Sequence, residues 1–459
     1  MARSERHNSR PATLLIASAV LALAAASVAA QPDTTGWPRW RGPLSTGASP
    51  DADPPIRWSE TENVVYKVEV PGEALASPVI HGDLIFLLTA VSIDLEAYKK
   101  NLDAAQQIMD SGEWPPSVDA TPQRFLVQAR NRHTGEIVWE KLARESIPHE
   151  SHYLDSSWAS GSPVTDGEIL LAHFGSNGTY AYDLEGNLLW EKDLGDMTTR
   201  RGFGEGTTPA LVDDTILINW DHEGDSFLVA LDKTTGNEKW RTSRPGEVTS
   251  WATPLVVDVE GSQQIVVPGT GASRGYDFKT GKEIWQLSGM TVNTIPSPVH
   301  QDGIVYLASG YRGTMLQAVK LAGAKGDLAD TDSVLWSYEK DTPYVASVLL
   351  YSDQLYFIKH LRNVFTSLDR KTGEHHYTVR LPNIRNTYAS PIAAAGRIYA
   401  FDRGGGAVVL KHGTEFEVIA ENTLDDGIDA TPAMIGKDLY IRGRHHLYRI
   451  SETEAESVN

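Results

Sequence analysis

Apolar and polar positions recur along this chain in a strand–turn–strand pattern. Its clearest copy occupies 229–240, where an apolar run ends at Leu231, polar residues and Gly236 follow, and a mixed segment closes on Trp240. Such runs bounded by turn residues predict β-strands, and Gly236 can take the positive φ of a tight turn. Further copies occupy 132–139, 183–190, 276–285 and 368–377, and residues 334–336 keep only the Trp end after an insertion at 323–332. In the copy at 368–377, Tyr377 stands in the Trp position.

A second motif, Ser or Thr followed by Pro and an apolar run, opens each group of strands. It starts at Ser77, Ser162, Thr208, Thr253, Ser297, Ser390 and Thr431, and Ala346-Ser347 is a copy without the Pro. A recurrence of about 40 to 50 residues with several strands per repeat is typical of a β-propeller. Each unit is predicted to hold four strands, A to D, with the Trp near the end of D.

The two ends of the chain are predicted to complete one another. The unit that begins at Thr431 stops before any Trp, whereas residues 56–58, Ile-Arg-Trp, form an isolated D-like strand. We therefore predict an all-β, eight-bladed β-propeller of four-stranded antiparallel blades over 56–451, closed by the strand at 56–58. Closure of this kind removes two open sheet edges. Residues 31–55 are predicted to be an N-terminal arm on the propeller body, and 452–459 a C-terminal tail.

One segment, 91–123, interrupts the repeat between the B and C strands of the first blade. Residues 95–109 within it are rich in Ala, Leu, Gln and Lys and predict a helix. Two interpretations stay open for this insertion. It is either a surface excursion or a cap over one face of the ring, because B–C connections emerge on a common face.

The first thirty residues have the composition of a secretory signal peptide. Arg3, Arg6 and Arg10 precede an apolar run at 14–26, and small residues at 28–30 form a cleavage site. We predict export to the periplasm or beyond. The apolar run is too short to favour a permanent membrane span, so no transmembrane segment is expected after cleavage.

Composition narrows the functional classes. The chain of 459 residues has no Cys, which excludes disulfides, a lipid-bearing Cys, covalent haem attachment and Cys-based metal sites. Its net charge of −19 argues against binding to nucleic acid or to anionic lipid. A soluble monomer is expected.

The repeats resemble those of the PQQ-repeat, quinoprotein alcohol dehydrogenase-like propellers. The resemblance covers residues 37–451, and the start at 37–43 with the stretches 397–403, 422–426 and 439–443 is similar to exported bacterial PQQ-like members. It implies eight four-stranded blades pinned by Trp contacts between neighbours. The superfamily includes a non-enzymatic scaffold, the outer-membrane assembly lipoprotein, whose lipid-bearing Cys this chain lacks.

The enzymes of this superfamily imply a different set of expectations. They hold PQQ and Ca²⁺ in the central funnel with a vicinal Cys pair, a catalytic Asp and Glu or Asn ligands to the ion. This chain has no Cys pair, and no stretch matches the Ca²⁺ and Asp set. No cofactor is assigned on this basis, although PQQ and Ca²⁺ stay open, and no catalytic residue is identified.

Candidate site residues follow from topology. The D–A and B–C connections of a propeller share one end, here called the funnel face. Side chains suited to anions or to stacking converge there, and we predict a ligand-binding set of Arg201, Trp251, Arg274, Arg312, Arg362, Asn363, Arg385, Arg403 and Arg442. The alternative is internal ion pairing, with Asp221, Glu223, Asp402 and Asp429 as acceptors.

Other signals are weaker. His149 with His152, and His445 with His446, lack a third metal ligand, and the glycine-rich run at 202–206 opens a strand rather than a helix. The leading hypothesis is an exported, non-enzymatic binding or scaffold protein that holds an anionic small molecule or a protein partner at the funnel face. The alternatives are a PQQ- and Ca²⁺-dependent dehydrogenase of alcohols or sugars, and a polysaccharide-related enzyme.

Overall fold

The computed structural model describes Met1, residues 36–360 and residues 362–452. The predicted signal peptide lies outside the described residues apart from Met1, as do residues 31–35 of the predicted arm and 453–459 of the tail. The predictions for those segments therefore stay predictions.

Eight four-stranded antiparallel sheets follow one another through the described residues, which confirms the eight-bladed propeller. Blade 1 comprises Val79–His81, Leu84–Ser92, Gln123–Asn131 and Ile137–Ser146, and blade 2 comprises Val164–Thr165, Ile169–His173, Thr179–Asp183 and Leu188–Lys192. Blade 3 comprises Ala210–Val212, Thr215–Trp220, Phe227–Asp232 and Glu238–Ser243, and blade 4 comprises Leu255–Val259, Ser262–Val267, Ser273–Asp277 and Glu283–Leu287. Blade 5 comprises Val299–Gln301, Ile304–Ser309, Met315–Lys320 and Val334–Tyr338, and blade 6 comprises Leu349–Tyr351, Gln354–Lys359, Val364–Asp369 and His375–Arg380. Blade 7 comprises Ile392–Ala394, Arg397–Phe401, Gly406–Lys411 and Val418–Thr423, and blade 8 comprises Ala433–Ile435, Asp438–Arg442, His446–Ile450 and Val64–Glu69. Two short 3₁₀ turns, Gly175–Asn177 and Arg200–Gly202, lie between strands.

The ring is closed by an N-terminal strand, but not by the one predicted. Val64–Glu69 pairs antiparallel with His446–Ile450 and completes blade 8, whereas residues 56–58 form no strand. Trp58 is instead buried and stacks on Tyr399 of blade 7, with ring centroids 6.4 Å apart. The sequence prediction followed the Trp, but in blade 8 the equivalent D-strand position belongs to Tyr66, whose hydroxyl donates to the Arg132 carbonyl of blade 1 at 3.2 Å.

In four blades, the Trp of the D strand joins the blade to the next one. Trp139, Trp190, Trp240 and Trp336 donate through Nε1 to main-chain carbonyls of the following blade at 2.8, 2.9, 3.1 and 3.1 Å. Each of these rings packs on the turn glycine of that next blade. At Gly281, for example, an added Cβ would lie 2.4 Å from the Trp240 ring. The Thr-Gly turn and the Trp are therefore two halves of one contact.

Trp285 departs from this rule because the next blade lacks the turn. Its indole is fully buried and donates to Gln264 Oε1 of its own blade at 3.2 Å. The predicted insertion at 323–332 replaces the missing turn, and its short strand Gly326–Asp327 pairs in parallel with Glu283–Leu287. The inserted chain thus covers an edge that other blades leave open.

The Ser/Thr-Pro motifs form a chain of hydrogen bonds near the axis. In six blade-to-blade steps, the main-chain N–H of one motif residue donates to the hydroxyl of the next at 2.8 to 3.0 Å, as at Ser77 to Ser162, Ser162 to Thr208, Thr253 to Ser297, Ser297 to Ser347, Ser347 to Ser390 and Ser390 to Thr431. Ser347 takes part although its copy lacks the Pro. The hydroxyl, and not the Pro, is therefore the common feature.

Apolar clusters fill the spaces between neighbouring blades. One cluster, for example, joins Leu217 and Leu228 of blade 3 to Ile265 and Tyr276 of blade 4. Because each blade contributes both faces to such clusters, its central strands are almost entirely buried. Outer D strands alternate buried and exposed residues, as in Glu238–Ser243.

The N-terminal arm, residues 36–55, lies along the inner A strands at the end opposite the funnel face. Its main chain bonds to blades 1, 2, 6, 7 and 8 through the pairs Trp37 with Ile80, Pro38 with Thr165, Thr46 with Leu350, Gly47 with Ala393 and Asp53 with Gly436. The Arg41 guanidinium is buried and donates to the carbonyls of Thr46, Val348 and Pro391 at 3.1, 2.8 and 2.9 Å. The arm therefore crosses the ring and closes its central opening on that side.

The predicted helix is present as Leu95–Ser111, between the B and C strands of blade 1. Asp94 caps its first turn by accepting from the Ala97 N–H at 2.9 Å, and Gly112 ends it at a φ of 78°. The following strand, Ser117–Val118, pairs with His152–Tyr153 in the connection between blades 1 and 2. These bonds fix the insertion against the funnel face.

Candidate functional site

A cavity of about 690 Å³ opens within the ring on the funnel face. Connections from several blades line it, and Trp40 of the N-terminal arm contributes from the opposite side. The Trp40 indole donates to Thr431 Oγ1 at 3.4 Å, so the arm forms a floor beneath the cavity. Met109 and Trp114 of the insertion also line it. Of the two interpretations of the insertion, the structure supports the cap, since the segment forms part of the cavity wall.

One wall of the cavity is an aromatic cluster formed by the insertion and the first blade connections. The centroids of Trp114 and Tyr153 lie 5.1 Å apart, and those of Tyr153 and Phe203 lie 5.6 Å apart. Phe203 in turn lies 6.5 Å from Trp251. Tilted and edge-on contacts at these distances are favourable for aromatic rings. This wall offers a flat ligand several ring surfaces.

A second aromatic cluster lines the cavity from blades 5 to 7. Tyr311 stacks on Tyr344 with centroids 4.8 Å apart, and His360 lies 5.8 Å from Tyr344 and 5.1 Å from Tyr388. Burial lowers the pKa of His360 to about 4, although its bond to the Thr387 carbonyl opposes this change. The ring is therefore neutral near pH 7 and acts as part of the apolar wall.

Two carboxylates that line the cavity are occupied by arginine. Asp155 Oδ1 accepts from Arg403 Nη1 at 2.7 Å, and Asp429 is bound by both Arg403 and Arg444, the latter at 2.8 Å. Burial of Arg403 opposes its charge, but Asp429 and Asp155 together hold its pKa above the usual value. The Arg403 guanidinium also covers the Tyr388 ring at 4.1 Å. This cluster is electrically balanced and rigidly positioned.

Glu205 is the third carboxylate in the cavity wall, and it has no cationic partner among the described residues. Its oxygens accept from the Ser176 N–H at 2.7 Å and from the Ser176 hydroxyl at 2.6 Å. Burial raises the pKa of Glu205 to about 7, against the opposing effect of those two donors. The side chain is thus partly protonated near neutral pH.

Lys359 is a cation in the same cavity. It ends the second strand of blade 6, and its amine donates to the Gly310 carbonyl. Within the described part of the chain it forms no ion pair with a carboxylate, and burial lowers its pKa. The cavity therefore contains one amine that no anion neutralises.

The structure divides the predicted arginines into two groups. Arg403 forms ion pairs with Asp155 and Asp429, as described above. Arg274 pairs with Glu247 and, at 3.2 Å, with Glu283. Arg442 is fully buried, donates to the Gly443 carbonyl, and has its pKa lowered by burial to about 10. Arg403 and Arg274 thus form internal ion pairs, the alternative that the sequence left open, whereas Arg442 forms no ion pair with a carboxylate among the described residues.

The other predicted arginines are exposed on the funnel face. Arg201, Arg312 and Arg385 have no carboxylate partner among the described residues, and Arg312 lies 5.3 Å from the Tyr311 ring centroid. Arg362 faces Asp341 at 3.4 Å, and Asn363 beside it is half-buried. Of the predicted set, Trp251 alone lines the cavity among the residues that the structure describes.

The predicted acceptors behave differently from one another. Asp221 binds Arg244 through two bonds of 2.7 and 3.0 Å, a buried pair that the sequence did not indicate. Asp429 pairs with arginine as expected. Glu223 accepts instead from the Thr249 hydroxyl at 2.9 Å, and Asp402 accepts from the main-chain N–H groups of Arg385 and Asn386 at 2.7 Å.

Several cavity residues lie outside the predicted ligand-binding set, which consisted mainly of arginines. These residues are Trp40, Trp114, Tyr153, Phe203 and Lys359. Two signals could have found them. Aromatic residues are common in the D–A connections, and a Lys ends an otherwise buried strand at Lys359.

The residues present do not fit a PQQ and Ca²⁺ centre. The chain has no Cys for a vicinal pair, and the described residues contain no group of three or more acidic or His side chains that could hold a metal ion. The cavity carboxylates Asp155 and Asp429 already accept from Arg403. We therefore derive no chemistry through that cofactor.

Comparisons with known proteins agree on the architecture. The sequence model described as outer membrane protein assembly factor BamB matches residues 51–202 and 123–376. A protein of the same description from Yersinia pestis is 28% identical over 214 residues, which are 43% of this chain and 50% of the relative. The chain thus matches about half the length of that relative.

A solved BamB structure shows the same fold at low identity. BamB from Moraxella catarrhalis aligns with a TM-score of 0.57 and 14% identity, covering 84% of this chain and 99% of that chain. Quinohemoprotein alcohol dehydrogenase from Comamonas testosteroni aligns with a TM-score of 0.44 and 12% identity, covering 93% of this chain and 82% of that chain, a likeness too low to support any argument. No helix within residues 36–360 or 362–452 is long and apolar enough to cross a membrane. Since the matched residues make up well over half of the sequence, the chain belongs to the PQQ-repeat propeller family described as outer membrane protein assembly factor BamB.

Proposed function

We propose that this protein is an exported, non-enzymatic propeller that holds a protein partner at its funnel face. Export is supported by the signal-like composition of residues 1–30. Binding of a protein partner is supported by the family, whose matched members are described as outer membrane protein assembly factors.

The observation that carries the proposal is the combination of an aromatic cavity with exposed arginines around it. The protein has a net charge of −19, yet Arg201, Arg312 and Arg385 lie on the funnel face without carboxylate partners among the described residues. Positive charge in this one place favours an anionic partner and speeds its approach. Aromatic and Arg side chains are also the residues that most often dominate binding energy at protein interfaces.

The chemistry of the site indicates the kind of segment it accepts. An aromatic or large aliphatic side chain can pack between Trp251 and Phe203 on one wall and Tyr344 on the other. Acidic residues that flank it can meet Arg201, Arg312 and Arg385 through charge-assisted hydrogen bonds. We therefore propose that the partner presents an acidic segment with at least one aromatic side chain.

A peptide-binding experiment tests this proposal. Three synthetic peptides of equal length are used: one acidic with a central Trp, one acidic without an aromatic residue, and one basic with a central Trp. We expect measurable binding of the first peptide only. The triple variant Arg201→Gln, Arg312→Gln and Arg385→Gln should weaken this binding by about tenfold to a hundredfold, because each lost contact of this kind is worth about 0.5 to 1 kcal/mol.

A matched control removes three positive charges at the opposite end of the ring. Arg57, Lys282 and Lys371 are exposed there, and their replacement by Gln should leave binding unchanged. Trp251→Ala should weaken binding of the acidic Trp peptide without changing the salt dependence of that binding. Equal binding of all three peptides, or full binding by the arginine triple variant, contradicts the proposal.

A further inference from the structure

Lys359 differs from those described lysines that form ion pairs with carboxylates. Lys233 lies 2.7 and 2.6 Å from Asp166 and Glu168, and Lys411 lies 2.8 Å from Glu417. Those carboxylates raise the pKa values of both amines and keep them protonated. Lys359 has no such partner within the residues that the structure describes, and its amine donates to the Gly310 carbonyl.

The charged groups near Lys359 do not neutralise it either. Asp341 acts on the amine electrostatically, but that carboxylate also lies 3.4 Å from the guanidinium of Arg362. Arg362 itself disfavours a second positive charge beside it. His360, the next residue, is neutral near pH 7 because burial lowers its pKa to about 4.

Lys359 lies among the residues that line the cavity, beside aromatic side chains. It lines the cavity together with Tyr311, Tyr344 and Tyr388, and the stacked pair of Tyr311 and Tyr344 offers a flat surface beside it. The cavity of about 690 Å³ has room for a small aryl compound. A half-buried amine in such surroundings has the features of a nucleophilic lysine.

We infer that Lys359 is a nucleophilic amine that captures aldehydes bearing a flat apolar group in the funnel cavity. The Nζ lone pair attacks the carbonyl carbon, a C–N bond forms, and the carbonyl oxygen then leaves as water with the two protons that nitrogen gives up. The product is an imine, and the step needs no oxidant or reductant. This inference goes beyond the proposed partner binding and does not depend on it.

Burial supports the reaction by lowering the pKa of Lys359, which enlarges the neutral fraction of the amine near neutral pH. The amines that hold ion pairs have the opposite tendency. Each unit of pKa difference changes the neutral fraction about tenfold, so selectivity among lysines is expected.

The experiment uses the intact protein with benzaldehyde as the flat probe and formaldehyde as the small one. Imines are reduced in place with cyanoborohydride near neutral pH, and the modified lysines are mapped by mass spectrometry over time. We expect benzaldehyde to modify Lys359 several times faster than the exposed Lys282. Lys359→Arg should remove this fast phase, whereas Lys411→Arg should leave it intact.

A second variant separates ligand selection from amine reactivity. Tyr344→Ala should slow benzaldehyde at Lys359 while formaldehyde still reacts there. If benzaldehyde modifies Lys359 no faster than Lys282 in the unaltered protein, the inference is overturned. It is also overturned if only formaldehyde shows a preference for Lys359, because the cavity then does not accept the flat group.

Discussion

At the residue scale, buried polar atoms explain why certain small residues recur in this chain. The hydroxyls of the Ser/Thr-Pro motifs accept main-chain N–H groups that would otherwise lack partners near the axis. At one of the steps without this bond, between Thr208 and Thr253, the Thr253 hydroxyl has no partner among the described residues. Each motif therefore links two neighbouring blades through a hydrogen bond, so the loss of its hydroxyl in one blade also affects the neighbouring blade.

Replacement of a central member of this chain of bonds should cost stability. Ser347→Ala removes the acceptor of the Ser297 N–H, which lies 2.9 Å from the Ser347 hydroxyl in a buried position. An orphaned buried donor costs about 1 to 3 kcal/mol, which chemical denaturation can measure. Thr414→Ala, at an exposed site, is the control and should change the free energy of unfolding very little. Equal effects of the two changes would show that the hydroxyl bond is not stabilising.

Glu205 should make stability depend on pH in a definite direction. Its ordinary pKa of 4.5 rises to about 7 in the folded protein because of burial. Below pH 4.5 the carboxyl is protonated in both states, so its contribution to stability is fully present. As pH rises towards 7 the unfolded chain loses that proton first, and the contribution is lost.

Glu205→Gln removes this titration. We expect the melting temperature of the variant to fall less steeply than that of the unaltered protein between about pH 4.5 and 7. Glu421→Gln, at an exposed site, provides the comparison and should follow the unaltered protein. Parallel curves for Glu205→Gln and the unaltered protein would contradict the assignment.

At the scale of elements, the turn and the D strand of neighbouring blades act as a pair. Gly236 and Gly281 each lie beneath the Trp of the preceding blade, at φ values of 68° and 67°. Where the turn is absent, Trp285 folds onto its own blade, and where the Trp is absent, Tyr66 takes its place in blade 8. The contact therefore requires the turn of the next blade, whereas its aromatic partner can be Tyr as well as Trp.

Two glycines with similar positive φ values allow the cost of the steric clash to be separated from the cost of backbone strain. Gly281→Ala introduces a Cβ 2.4 Å from Trp240, whereas Gly303→Ala, at a φ of 76°, meets nothing within 4 Å. The shared backbone strain is about 1 to 2 kcal/mol. We expect Gly281→Ala to be clearly the more destabilising in chemical denaturation. Similar losses at both positions would mean that Trp240 does not rely on the turn.

At the scale of the whole molecule, the two ends of the propeller have different roles. Val64–Glu69 closes the ring, and the arm at 36–55 bonds to the inner strands of five blades on the side opposite the cavity. The funnel face carries the cavity, the insertion and the exposed arginines. One end therefore stabilises the ring and supplies the floor of the cavity, while the other end is free for binding.

Loss of the Arg41 bonds should release the arm. The buried guanidinium has its pKa lowered to about 9 by burial, so it still carries its charge near neutral pH. Arg41→Met leaves three carbonyls without their donor and should cost about 3 kcal/mol or more. Limited proteolysis should then cut within 36–55 much faster than in the unaltered protein. Arg57→Met, at an exposed position, is the control, and similar cutting of both variants would contradict the role of Arg41.

The sequence predicted the repeats well because each blade is specified locally. Strand patterns, the helix at 95–111 and the joining of the chain ends follow from apolar runs, turn residues and a missing strand. The prediction of the closing strand at 56–58 is wrong because it rests on Trp58, whereas Tyr66 occupies the equivalent position without a distinctive motif. A single side chain can carry a contact that the repeat elsewhere assigns to another residue type.

By itself, the sequence determined the architecture of this protein. Within a blade, each strand forms hydrogen bonds with strands that lie next to it in the sequence, so local patterns specify the fold. It also showed which end of the ring carries polar and aromatic connections. Only the tertiary structure decided how these groups combine, because charge pairing acts across blades that are far apart in sequence. Arg403 joins Asp155 to Asp429, Arg442 is buried, and Lys359 is left without a counter-ion among the described residues. Whether a charge is neutralised or available for binding is a property of distance in space, which the order of residues does not contain.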